Sequence, residues 1–164
     1  MNKKIINKKG FTLIELLAVI SILAIIAVIA TPNIVTLVDN SKKQEFVTDA
    51  ISFTSKAVYK YKFEKYEDLF TVKDNCKIIT LRNTGIEAKT DPDGNNYDLD
   101  NSIIKICEEE NNGIKEKVTY IFLKSTTAET DKRVRGIFDN NSSDKTVKVD
   151  SLGTKDVLDL KDLK

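Results

Sequence analysis

The 164-residue chain contains no histidine and no tryptophan, two cysteines, two prolines and six scattered glycines. Without an imidazole, histidine-based triads and histidine metal sites are excluded outright. The scattered glycines form no phosphate-cradling loop. Charge of one sign is also missing: 26 Lys+Arg stand against 25 Asp+Glu, so electrostatic recognition of nucleic acid gains no support. Where carboxylates do adjoin, at Glu108-Glu109-Glu110, they run into Asn111-Asn112-Gly113 and read as a solvated turn. No catalytic constellation emerges, and the residues imply neither an enzyme nor a cofactor.

The N-terminus carries the strongest signal. Met1 to Gly10 holds Lys3, Lys4, Lys8 and Lys9 and no acid, a composition that stays on the cytoplasmic side of a membrane. Phe11 to Ala30 is then apolar with Glu15 as its one ionisable side chain, and about 20 residues at 1.5 Å rise match a hydrocarbon layer of about 30 Å. A secretory signal has a shorter apolar stretch ending in a small-x-small cleavage site, which Ala27-Val28-Ile29 fails and Ala30-Thr31-Pro32 matches poorly. Glu15 is the anomaly. A carboxylate inside a spanning helix costs about 2.5–3.5 kcal/mol on insertion scales, so one that persists needs a partner, unless its shallow depth lets it reach the headgroups. A cut between Gly10 and Phe11 would remove the four lysines and create an α-ammonium one turn from Glu15.

Gly10-Phe11-Thr12-Leu13-Ile14-Glu15-Leu16 resembles the cleavage and methylation motif of type IV pilins and pseudopilins. The resemblance implies a prepilin peptidase that cleaves after Gly10 and N-methylates Phe11. It further implies that Glu15 pairs with the Phe11 amine of a neighbouring subunit as helices join a homopolymer through the pilus assembly machinery. An ammonium and a carboxylate in a dry helix bundle each need the other, although the pair sets registry more surely than it adds stability. The chain is then a single-pass membrane protein before assembly and an extracellular pilus subunit afterwards; adhesion, motility, biofilm formation and DNA uptake are roles of the family. A pseudopilin of a secretion or DNA-uptake apparatus shares the same signal, and a single-pass anchored binding domain is a further alternative. Removing the leader leaves 22 basic against 25 acidic side chains, a slightly acidic mature chain.

Four segments follow: a cleaved leader, 1–10; an apolar helix, 11–32; an amphipathic helix, 33–63; and a β-rich domain, 64–164. Pro32 removes a backbone hydrogen bond and disfavours helical geometry at Thr31, so a kink or local unwinding is expected there. Family members often carry an earlier helix glycine where this chain has Ala24. Phe46, Ala50, Phe53, Ala57 and Tyr61 recur at steps of three and four, an apolar stripe that needs a packing partner.

Candidate strands are Lys77–Leu81, Ile103–Cys107, Lys117–Lys124, Val134–Asp139 and Thr146–Leu152, with a hairpin at Asp139-Asn140-Asn141-Ser142-Ser143 joining the last two. A sheet of this kind is stable when laid on the helix stripe, which gives an α+β fold: a long N-terminal helix packed against a C-terminal antiparallel sheet. Asp91, Asp93, Asn95 and Asp98 are calcium-type ligands, but Asp-Pro and Asp-Gly form turns without an ion, and Asp91-Pro92-x-Gly94-x-x-Tyr97 resembles a loop of several pilins. No metal is expected. Cys76 and Cys107 lie beyond the membrane segment, where a disulfide between them is permitted; two buried free thiols are the alternative. The tail Thr154 to Lys164 alternates leucines and valine with charges, an amphipathic end that either packs or stays mobile.

Overall fold

The computed structural model describes residues 10–63, 67–87, 89–127 and 133–164. The leader lysines and the expected domain start at residue 64 lie outside them. The chain divides into two compact units, one ending at Asp39 and one running Asn40–Lys164. A single helix assignment, α1, covers Leu13–Phe63 and continues through Thr31 and Pro32 without an unwound residue.

Among the described residues of the first unit, α1 buries no face. Every residue from Leu13 to Ile29 is exposed, including Leu13, Ile14, Leu16, Ile20 and Ile26. The hydroxyls of this stretch are satisfied within the helix: Ser21 Oγ donates to the Leu17 carbonyl at 2.8 Å and Thr31 Oγ1 to the Ala27 carbonyl at 2.6 Å. Turning polar groups inward onto the backbone is what an apolar surrounding demands of them. By length and composition the helix can cross a membrane.

In the second unit α1 does have a buried face. Phe46, Val47, Ala50, Phe53 and Ala57 are sealed into one core with Ile79, Ile104, Ile121, Leu123, Ile137 and Val157 of the sheet. The small Ala50 and Ala57, both fully buried, alternate with phenylalanine so that the helix approaches the strands closely.

Among the described residues the strands are β1 Thr71–Lys73, β2 Cys76–Thr80, β3 Asn96–Tyr97, β4 Ile103–Asn111, β5 Ile114–Thr126, β6 Arg135–Ile137, β7 Val147–Lys148 and β8 Val157–Asp159. Every pairing is antiparallel, in the order β1-β2-β4-β5-β6-β8, with β3 and β7 also on β5. This is an α+β architecture, with the long helix packed against an antiparallel sheet. The turns follow from residues that tolerate positive φ: Asp74-Asn75 (φ 51° and 59°) closes β1–β2, and Asn112-Gly113 (φ 53° and 80°) closes β4–β5.

The hairpin expected at Asp139 to Ser143 is not formed between its flanking strands. The segment does turn, with the Asp139 amide donating to the Lys145 carbonyl at 3.1 Å. However, β6 pairs through Ile137↔Leu123 and β7 through Val147↔Ile121, so both lie antiparallel to β5 and neither pairs with the other. The 13-residue β5 presents ladder groups along its whole length, and the two short strands use separate parts of it. β6 then accepts β8, which comes from the tail: Ile137 faces Val157, and Val157 is buried. Gly136 sits in this crowded crossing, where a Cβ would meet the Leu123 carbonyl oxygen at 2.5 Å.

Candidate functional site

The residues singled out at the N-terminus occupy a sharp boundary in the backbone. Gly10, Phe11 and Thr12 are non-helical and exposed, and the helix starts at Leu13. Phe11 is 89% exposed. The peptide bond between Gly10 and Phe11 therefore lies in exposed backbone just ahead of the helix. Among the described residues nothing calls for a glycine at position 10. A Cβ there would meet no atom of the described residues within 4 Å.

Glu15 is not solitary in the first turn. Its Oε2 accepts from the Thr12 amide at 2.8 Å and from Thr12 Oγ1 at 2.9 Å, while the Glu15 amide donates to Thr12 Oγ1 at 3.3 Å. This reciprocal pattern is a capping box, in which Thr12 is the N-cap and Glu15 the third helical residue. The sequence signal Thr-x-x-Glu was present and could have revealed it.

The loop 89–97 is built from side chains reading the buried face of α1. Asp91 Oδ1 accepts from the amides of Asp93 and Asn95, each at 2.8 Å, and Gly94 takes the positive φ of 86° that the tight turn needs. Asp93 meets Lys42 Nζ at 3.1 Å and Arg135 Nε at 2.9 Å. The Tyr97 hydroxyl donates to Asp49 Oδ2 at 2.9 Å, and Lys89 forms an ion pair with the same carboxylate. The Tyr97 ring stands edge-on to Phe46 at 5.7 Å and Phe53 at 5.2 Å. Lys42, Phe46, Asp49 and Phe53 thus receive the loop at steps of four, three and four, one face of the helix. Burial and the neighbouring Asp49 carboxylate push the Tyr97 phenol well above its ordinary value.

The carboxylates weighed as calcium ligands serve different partners. Asp91 organises its own turn, Asp93 faces two cations, and Asp98 accepts from the Asn101 amide at 3.0 Å and pairs with Lys124 at 3.2 Å. Among the described residues no group of acidic or cysteine side chains is arranged to hold a metal ion. Cys76 and Cys107 face one another across β2 and β4 and are joined by a disulfide with a Cα–Cα distance of 4.0 Å. Thr12, Lys42, Asp49 and Arg135 escaped the sequence reading. An aspartate one step from Phe46, Ala50 and Phe53 on an apolar stripe was the available clue to Asp49.

A family model described as the prokaryotic N-terminal methylation motif matches residues 6–31. Comparison with curated proteins and with solved structures gave no match. The matched segment contains the non-helical Gly10–Phe11 bond, the Thr12–Glu15 cap and the exposed apolar helix. The chain carries the prokaryotic N-terminal methylation motif, the leader signature of type IV pilins and pseudopilins.

Proposed function

We propose that the chain is a pilin precursor whose mature form, Phe11–Lys164, polymerises into a type IV pilus at the cell surface. The observation that carries this reading is the motif at residues 6–31 set on a helix whose apolar residues are exposed from Leu13 to Val38. A surface of that kind is stable in lipid or in a bundle of like helices, and extraction from one to the other exchanges apolar surroundings of similar free energy.

In this reading the lysine-rich leader orients the precursor in the membrane and a prepilin peptidase cuts after Gly10. The new Phe11 amine is N-methylated and meets Glu15 of a neighbouring subunit. Breaking a desolvated pair by deleting one partner costs about 3–5 kcal/mol, because the other charge is stranded. Pro32 provides a weak point in the helix, since its missing N–H leaves the Val28 carbonyl without its usual donor. Outside the cell, the disulfide ties β2 to β4 and the 89–97 loop fastens to the helix face.

Two variants separate processing from assembly. Gly10→Ala leaves the fold intact, because the site is open, but blocks or slows cleavage; a cut product at the normal rate would contradict the peptidase assignment. Glu15→Ala is cleaved normally and yields few filaments by electron microscopy. Normal filaments from that variant would sink the pairing, and a wild-type chain that is neither cut nor found in filaments would leave an anchored domain that does not polymerise.

A further inference from the structure

The capping box changes what Glu15 is doing before any neighbour arrives. In the single chain its carboxylate already accepts two hydrogen bonds, both from Thr12 and both on Oε2. Thr12 Oγ1 in turn accepts from the Glu15 amide, so backbone and side chain of the two residues fix one another. The contacts are local, need no other subunit, and involve atoms that cleavage after Gly10 leaves in place. The Thr12 N–H is still an amide in the mature chain.

We infer that Thr12 is the positioning residue of the assembly step, holding the Glu15 carboxylate in the first helical turn so that its second oxygen meets the incoming α-ammonium. This inference rests on the assembly reading above and adds to it a residue that has no contact with the neighbour's amine. Two consequences follow from the geometry. First, the carboxylate has hydrogen-bond partners while the helix is still in the membrane, so the precursor tolerates it without a counter-charge. Second, a long flexible side chain is restricted before docking, which lowers the ordering cost of the intersubunit contact. Assembly then adds a donor to a carboxylate already held.

Thr12→Val keeps the shape and the backbone N–H but removes the hydroxyl that both donates to Glu15 Oε2 and accepts from the Glu15 amide. Thr12→Ser keeps the hydroxyl. In the full precursor embedded in phospholipid bicelles, the Glu15 amide of Thr12→Val should exchange about fivefold faster than wild type, the size of a typical lost N-cap, and Thr12→Ser should restore it. In cells, Thr12→Val should be cleaved at the wild-type rate, since the Gly10–Phe11 bond precedes the capped turn, yet give fewer filaments, with Thr12→Ser again restoring the yield. Unchanged exchange in Thr12→Val overturns the inference. So does faster exchange accompanied by a wild-type filament yield. If the wild-type precursor is itself neither cut nor assembled, the assembly reading fails, and the exchange measurement still decides whether Thr12 holds Glu15.

Discussion

Replacing Tyr97 by phenylalanine tests the clamp between loop and helix while leaving the packing in place. The ring stays edge-on to Phe46 and Phe53, so the area removed from water hardly changes. The lost element is the hydroxyl, which donates at 2.9 Å to an Asp49 that is only 5% exposed. A hydrogen bond to a charged acceptor contributes about 1.5–3 kcal/mol, and Asp49 would keep its ion pair with Lys89, whose side chain is 46% exposed. With a urea slope of about 1–3 kcal/mol per molar, the midpoint should fall by roughly 1 M. The assay is urea unfolding of the full chain in detergent, followed through the fluorescence of the remaining tyrosines. Pairing Tyr97→Phe with Asp49→Asn in a double-mutant cycle should give a coupling of about 1–2 kcal/mol. A midpoint shift below about 0.2 M, or a coupling near zero, would refute the argument that this buried pair fixes the loop on the helix.

Other substitutions probe separate parts of the fold. Gly136→Ala places a Cβ against the Leu123 carbonyl in the middle of the β5–β6–β8 crossing and should destabilise the second unit by about 1–3 kcal/mol, read as a lowered midpoint in the same assay. Reducing Cys76–Cys107, which closes a separation of 31 residues, should lower stability by roughly 3–4 kcal/mol on the chain-entropy account; equal midpoints with and without reductant would contradict it. The phenol of Tyr97 is held above its unfolded value, so its contribution is complete below about pH 10 and is lost as pH rises beyond that. Asp159 is held below its ordinary value by Arg133, and Asp100 by Arg82, so their contributions are complete above about pH 4 and fade as the solution is acidified further. A stability profile flat between about pH 5 and 9 and falling at both ends is the expected result.

How far the sequence reached depended on the kind of pattern each element leaves. The stripe Phe46, Ala50, Phe53, Ala57 and Tyr61 announces a buried helix face because a one-sided helix must repeat its apolar residues every three or four positions; the first four are buried and Tyr61 is half-buried. β5 was legible for a similar reason, with Ile121 and Leu123 both sealed in the core. The strands β1, β3 and β8 have two or three residues each, too short for alternation to show; β1 and β3 form on the longer β2 and β5, and β8 on the equally short β6. The turn at Asp139 to Ser143 was visible, but which strands it serves was not, since turn chemistry does not say that β5 would pair with both flanking segments. At the N-terminus the motif residues were plain, whereas the role of Thr12 was hidden behind Glu15. The sequence presents Glu15 as an acid in need of a charge, and the structure gives it a partner three residues away. Asp49 and Arg135 were missed because pairing between distant charged residues leaves no periodic trace in one sequence.

The account turns on the Gly10–Phe11 bond, and the direct test is tandem mass spectrometry of the N-terminal peptide from filaments sheared off the cell surface. A peptide beginning at Phe11 and carrying one added methyl group on its α-nitrogen is the predicted result. A peptide that retains Met1 to Gly10, or that begins at another residue, would contradict it.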